Sequence, residues 1–324
     1  MRVLVCCHMY PPHHNAGAEY YQHGVNKFLL SKGHEVRCMM LPPEHPMSVP
    51  AYTHEGVYCF PRPSTQHATI NAMQWADVII TYLDLTEVTL KYARFAKRPV
   101  VWIAHNTLYS YYDNVAKYGA YVVYNSEAAK QLSPFTNESF VLPPPVDYRH
   151  YDLGKDPYKN KYITIINANE NKGIFQFYRI AKAMPEKQFL AVQGSYDPQI
   201  GTQLPNVTIW PNTSDIRKVY NQTRILLMPS EYESWGRTAT EAACNGIPVL
   251  CTDTFGLKEN LADAGIFIER NDIPKWVETI RKLDTKKAYD AASKKVRERS
   301  RQLDPINTLT SFEDWIIKIA ANGK

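Results

Sequence analysis

Met228-Pro-Ser-Glu-Tyr-Glu-Ser-Trp-Gly-Arg-Thr-Ala-Thr-Glu-Ala-Ala-Cys-Asn-Gly-Ile-Pro-Val-Leu-Cys-Thr252 is the stretch whose reading decides the fold. The apolar run from Arg224 to Met228 has the length of a strand, and Pro229 and Ser230 stop it. A helix is expected from about Gly236 through Thr238, Glu241 and Cys244. Gly246 offers a left-handed residue to end it, and Pro248 cannot continue it. Ile247 to Cys251 then reads as a second buried strand. Two apolar strands joined by a helix form a parallel unit, so the loop 229–236 lies at the carboxyl end of its strand, where open α/β sheets hold ligands.

The residues of that loop suit a nucleotide-sugar. Gly236 lets backbone come close to a ligand because no Cβ intervenes. The first amides of the helix point at whatever fills the site, which favours a diphosphate. Glu233 in the loop and Glu241 on the helix are carboxylates, each able to accept two hydrogen bonds from a vicinal diol, one on a sugar ring and one on a ribose. The plainer reading is two exposed acids flanking an ordinary helix. Glu-x7-Glu alone is common, but here it sits inside Pro-Ser-x-x-Glu-Ser-Trp-Gly and Glu-Ala-x-x-x-Gly-Ile-Pro-Val. At these residues the chain resembles the GT-B glycosyltransferases, in particular the large retaining group called family 4. The resemblance implies that Glu233 contacts donor-sugar hydroxyls and Glu241 holds the ribose. It also implies that the backbone around Ser234, Trp235 and Gly236 meets the diphosphate.

Composition sets the outer bounds. The chain has 324 residues, of which 44% are hydrophobic and 21% charged, so two ordinary globular domains of about 150 residues are expected. No apolar run approaches the roughly 20 residues of a membrane span, and the start, Val3 to Cys7, reads as a strand rather than a leader. A cytoplasmic location is the expectation. The six cysteines show neither Cys-x-x-Cys pairs nor zinc-like spacing with histidine, and are read as small hydrophobes. Net charge is +5, and the densest basic stretch, Lys286 to Arg301, has helical spacing and interspersed acids, so it reads as a solvated helix face.

In chain order, strand Val3 to Cys7 leads into a loop with Gly17, a helix from about Ala18 to Lys32, and a strand at Glu35 to Met40. A single glycine is not the Gly-x-Gly-x-x-Gly of dinucleotide-binding proteins. The loop is similar to the Gly-Gly-x-Glu of family 4, with Ala16 in place of the first glycine, which implies that Gly17 approaches the donor phosphate. His8, His13 and His14 have no carboxylate at ligand spacing, so loop or acceptor-side histidines are preferred to a metal site, and a phosphate-facing role stays open. Strands are expected at Val57 to Phe60, Trp75 to Thr81 and Pro99 to Ala104, the last ending at His105. The resemblance gives His105 a contact with the donor sugar near the reacting carbon; a histidine capping the next turn is the alternative. The tyrosines from Tyr109 to Tyr124 divide between core and an acceptor platform. Pro143-Pro-Pro-Val-Asp147 is a stiff extended linker.

Past the linker, strand Tyr162 to Ile166 leads to Asn167-Ala-Asn-Glu-Asn-Lys-Gly173 and a helix. Family 4 has Gly-Arg-Leu-x-x-x-Lys-Gly here, which implies that Lys172 neutralises the leaving diphosphate. Asn167 stands where the arginine would be. Either one cation suffices, or Arg237 or the His13/His14 pair supplies the second. Trp210 is read as either a base contact or core. The expected architecture is α/β of the GT-B kind, two Rossmann-like domains facing across a cleft. Residues 1–147 form the acceptor side, 148–305 the nucleotide-sugar side, and 306–324 a helix crossing back to the first domain. The implied activity is transfer of a sugar from a nucleoside diphosphate sugar to an acceptor hydroxyl, with retention. No Asp-x-Asp occurs, so no metal and no cofactor are expected. A glycan or lipid carrier is the expected acceptor, with a modified DNA base or protein hydroxyl open, since similar short forms occur in actinobacteria and their phages. The rival classes are a phosphorylase or epimerase on the same fold, a non-catalytic nucleotide-sugar-binding module, and a Rossmann oxidoreductase, which the single-glycine first loop disfavours.

Overall fold

The computed structural model describes residues 1–322; the last two positions of the expected C-terminal helix, and the side chain of Tyr111, lie outside the described residues. The chain divides into two compact units, Met1–Pro145 with Pro305–Lys324, and Val146–Asp304. The division falls inside the proline run, where no residue can donate a ladder hydrogen bond and the backbone stays extended.

The first unit holds β1 (Arg2–Cys6), β2 (Glu35–Met40), β3 (Tyr52–His54), β4 (Val57–Pro61), β5 (Val78–Tyr82), β6 (Val100–Ala104), β7 (Tyr121–Tyr124) and β8 (Ser139–Val141). They form one sheet in the order β3-β4-β2-β1-β5-β6-β7-β8. Every neighbouring pair is parallel except β3 with β4. β5 and β6 are buried along their whole length, as strands covered on both faces must be. Alternate residues feed two cores. Val3, Val5, Ile80 and Ile103 lie on one face, packed with Phe312 and Ile316 of the C-terminal helix Ile306–Asn322. Leu4, Cys6, Ile79 and Trp102 lie on the other. That helix is thus an integral layer of the first unit, pinned at its edge by His34 Nε2 to Glu313 at 2.8 Å. Truncating a side chain as buried as Phe312 costs about 3–5 kcal/mol.

The second unit holds β9 (Tyr162–Ile166), β10 (Gln188–Val192), β11 (Val207–Trp210), β12 (Thr223–Met228), β13 (Val249–Cys251) and β14 (Ile266–Phe267), ordered β11-β10-β9-β12-β13-β14 and parallel throughout. Counted along the unit this is 3-2-1-4-5-6, and the direction of winding reverses between β9 and β12. Ligands of doubly wound sheets bind at such a reversal, beyond the strands' carboxyl ends. The loops leaving β9 and β12 are 167–173 and 229–236, the two segments that carry Lys172 and Glu233.

Four elements differ from expectation. A helix, Gln66–Gln74, fills a stretch left without an element; Thr65 caps it through Ala68 N, but it buries only Thr69 and Met73, so its apolar pattern is faint. The sequence between β11 and β12 predicts a helix over 214–221, yet only Arg217–Tyr220 is helical, because Thr213 and Asp215 accept hydrogen bonds from the backbone amides two residues on and hold the chain in turns instead. Gly265 to Glu269 reads as a five-residue strand, but β14 is two residues long, and β3 adds an antiparallel edge to β4.

Candidate functional site

The loop after β9 is tied from within. Asn167 adopts a left-handed φ of 72°, and its side-chain oxygen accepts from Asn169 Nδ2 at 3.1 Å and Gln199 Nε2 at 2.9 Å. Asn169 in turn accepts from the backbone N–H of Lys172 at 2.9 Å. Asn167 is therefore a loop tie and not a substitute cation. Gly194 makes room for it, since a Cβ there would stand 2.2 Å from Asn167 Oδ1.

Lys172 Nζ reaches across to Glu233 Oε1 at 2.7 Å, and Ser230 Oγ donates to the same oxygen at 2.9 Å. Glu233 is buried while the lysine side chain is 25% exposed, so the ammonium both neutralises the acid and keeps solvent-facing donors for a ligand. The loops meet closely at Gly173. Its φ is +82°, and a Cβ would lie 2.2 Å from the carbonyl oxygen of Pro229. Gly173 and Gly236 (φ +83°) each open a helix, Ile174–Ala183 and Arg237–Cys244, and neither helix has a side-chain cap on its first amides. Two helix N-termini with the polarity an anion prefers thus start from the two loops that flank the reversal of the sheet.

Glu241 is buried in the second of these helices, and both its oxygens hold donors: Arg237 Nε at 2.6 Å and Tyr220 Oη at 2.8 Å. Arg237 Nη2 also donates to Tyr151 Oη at 2.9 Å. Burial pulls against the arginine's charge, but Tyr151 and Glu241 hold its pKa above the ordinary value, while burial pushes both phenols up. Nε and Nη2 of Arg237 serve Glu241 and Tyr151, so the residue positions the carboxylate. The ring of Trp235 is also internal, donating from Nε1 to Thr240 Oγ1 at 3.3 Å; only its backbone lies along the loop. Ser234 is half-buried beside it. Trp210, at the end of β11, packs with Tyr162, Leu190, Val192 and Val219.

Three supports of this loop carry no signal in the sequence. Gly256 lies under it, where a Cβ would stand 2.4 Å from the carbonyl oxygen of Glu233. Asn260 Nδ2 donates to the carbonyls of Trp235 and Gly236, at 3.0 Å each. Arg270 joins both loops: Nε donates to Pro229 O at 3.0 Å, Nη1 to Glu231 at 3.1 Å and Nη2 to Glu170 O at 2.9 Å. A glycine, an asparagine and an arginine isolated in sequence read as turn or surface residues.

Gly17 and His105 belong to the first unit. Gly17 opens the helix Gly17–Ser31, and a Cβ on it would meet nothing within 4 Å, so no packing among the described residues requires glycine there. Two residues on, Glu19 is fully buried, 3.5 Å from His8 Nε2 and 3.6 Å from His14 Nδ1. The expectation that no carboxylate would accompany these histidines is corrected: the helix turn swings Glu19 back onto the loop. His105 follows β6, half-buried, with Tyr21 and Tyr82 edge-on at 4.9 and 5.1 Å between ring centres. Burial drives its pKa down to about 4, against the pull of Glu19, so the ring is neutral at pH 7. Tyr109 and Tyr124 are core residues around Trp102, so the rings flanking His105 are Tyr21 and Tyr82.

Residues 150–302 match the family described as Glycosyl transferases group 1. The chain is 24% identical over 162 residues to the capsular polysaccharide biosynthesis glycosyltransferase CapM of Staphylococcus aureus, a match that covers 43% of this chain and 43% of CapM. Among solved structures, Anabaena HepE in complex with UDP-glucose superposes with a TM-score of 0.80 at 15% identity, covering 98% of this chain and all of HepE. Sucrose-phosphate synthase of Thermosynechococcus elongatus gives 0.78 at 14% identity, over 99% and 100% of the two chains. The chain therefore has the GT-B fold, and within it residues 150–302 are similar to the glycosyl transferases group 1 family.

Proposed function

We propose that the protein transfers a sugar from a nucleoside diphosphate sugar to an acceptor hydroxyl, and that the loops 167–173 and 229–236 hold the donor. The observation that carries this reading is the Lys172–Glu233 pair at 2.7 Å, set at the reversal of the sheet with a helix N-terminus beside each loop. Lys172 stays with the diphosphate as it leaves, and the first amides of Arg237–Cys244 share the developing charge. One side-chain cation suffices, because Asn167 is neutral and Arg237 is engaged with Glu241. Glu233 positions the sugar ring, and Glu241, fixed by Arg237 and Tyr220, takes the ribose diol through its remaining lone pairs.

The transfer proceeds with retention and without a metal at the diphosphate. The bond between the anomeric carbon and the diphosphate oxygen breaks, the acceptor oxygen bonds to that carbon on the same face, and the departing phosphate takes the acceptor's proton. His105, neutral at pH 7, contacts the sugar as a hydrogen-bonding group, and Gly17 admits the phosphate to the backbone. The acceptor is a glycan or lipid carrier, in keeping with the capsular polysaccharide enzyme to which 162 residues of the chain are similar. UDP is the first nucleotide to test, since HepE holds UDP-glucose.

Thermal-shift measurements with UDP, GDP, ADP and TDP test donor binding. A diphosphate at 100 times its Kd stabilises by about 2.7 kcal/mol, a shift of several degrees. Glu241→Ala and Lys172→Ala are expected to lower turnover by ~100-fold or more while circular dichroism stays native. The reading fails if no diphosphate raises the melting point, or if both variants turn over at the parent rate. Binding without transfer to any acceptor marks a non-catalytic module.

A further inference from the structure

Away from the residues assigned to the donor, the first unit gathers two histidines and a carboxylate from elements remote in sequence. His23 lies on the helix Gly17–Ser31, His54 ends β3, and Glu55 begins the turn into β4. The two imidazole rings stand 5.0 Å apart, tilted by 34°. His23 Nε2 is 3.6 Å from Glu55 Oε2, and His54 Nε2 is 3.9 Å from Glu55 Oε1. One ligand atom from each residue lies within 4.8 Å of the other two. We propose that His23, His54 and Glu55 bind a divalent ion of the zinc type, water completing its coordination, and that the ion clamps the β3–β4 turn to the helix.

The donor set and its support both favour this occupant. Two imidazoles and one carboxylate, with no thiolate, suit Zn²⁺, Co²⁺ or Ni²⁺ better than Mg²⁺ or Ca²⁺, which take oxygen ligands. Tetrahedral bonds of about 2.0–2.1 Å need ligand atoms roughly 3.4 Å apart. The two histidine–carboxylate separations, 3.6 and 3.9 Å to different oxygens of Glu55, and the 4.8 Å bound on the three ligand atoms together are wider than that, and Glu55, with half its side chain exposed, can move to close them. Beneath His23, Nδ1 is 2.8 Å from Tyr10 Oη, which also accepts from Asn26 Nδ2 at 3.0 Å; Gln22 Nε2 holds Asn26 Oδ1 at 2.7 Å. With Nδ1–H donated to Tyr10, the Nε2 lone pair faces Glu55, and this buried polar chain fixes the ring as outer partners fix metal-bound imidazoles. Lys27 Nζ, 2.5 Å from Glu55 Oε2, is the competing cation. Its side chain is 51% exposed and can swing into water when the ion arrives.

The test is a Co²⁺ titration of untagged protein, followed by visible absorption and by displacement with Zn²⁺, with melting temperature as a second readout. One equivalent is expected to bind. His54→Ala and Glu55→Gln, both outside the core, should weaken Zn²⁺ binding by at least ~100-fold, and Tyr10→Phe by about 10-fold through the lost outer partner. Lys27→Met should tighten it. A double variant at His8 and His14 should leave it unchanged. The proposal is overturned if no stoichiometric binding occurs, if binding survives both His54→Ala and Glu55→Gln, or if the His8 and His14 variant abolishes it instead.

Discussion

Gly256 and Gly17 are both glycines near proposed donor contacts, and the structure separates their reasons for being glycine. A Cβ on Gly256 would press on the Glu233 carbonyl oxygen at 2.4 Å and on Ser234 and Trp235 as closely, all of them backbone that cannot swing aside. Gly256→Ala is expected to cost about 1–3 kcal/mol and to raise the donor KM, because the displaced loop carries Glu233. Urea unfolding and initial rates measure the two effects, and an unchanged midpoint would remove the packing argument. Gly17→Ala should do the reverse: no loss of stability, since nothing stands within 4 Å of the new methyl, but weaker donor binding if a phosphate comes to that backbone. A variant that binds UDP as well as the parent would take Gly17 out of the site. Glu233, Glu241 and Lys172 were legible because their neighbours in sequence form a motif. Gly256 was not, because its partner loop is distant along the chain and meets it only once β12 and β13 have paired.

The loops after β9 and β12 are held as a pair by Arg270, whose guanidinium donates to Pro229 O, Glu231 and Glu170 O. Those partners lie in two loops, so one side chain sets the spacing between Lys172 and Glu233. Arg270→Ala should cost only about 1 kcal/mol in stability, its partners being partly solvated, yet raise the donor KM by ~10-fold. Arg270→Lys should not restore it, because a lysine lacks the planar fork that reaches three acceptors. Equal KM values for parent and both variants would show that the loops keep their spacing without it. At this scale the buried strands were readable from apolar runs, as in Val100–Ala104, and the loops' place at strand ends followed from strand-helix-strand alternation. The reversal between β9 and β12 was not readable, since strand order depends on pairing that no local pattern records. The helix Gln66–Gln74 escaped because it buries two side chains and shows scarcely any stripe.

Across the molecule, acid stability offers a test of where charge is buried. The chain is mildly basic, with a net charge of +5, so its charge balance alone does not single out any histidine. His105 does stand apart: burial holds its pKa near 4, against an ordinary value of 6.5. A depressed pKa means that the folded state binds the proton less readily than the unfolded chain. The stability this represents is whole above pH 6.5 and is lost as the pH falls toward 4. Each pKa unit is worth 1.36 kcal/mol, so the loss by pH 4 is on the order of 3 kcal/mol. His105→Gln, which cannot titrate, should therefore show a flatter fall in melting temperature between pH 6.5 and 4 than the parent does. The same shift predicts that turnover between pH 6 and 8 shows no ionisation from this residue, consistent with a neutral hydrogen-bonding role. Parallel melting curves for parent and variant, or an inflection in rate near pH 6.5 that disappears in His105→Gln, would mean that the imidazole is hydrated and charges normally. His105 could not then meet the donor sugar as a neutral ring shielded between Tyr21 and Tyr82.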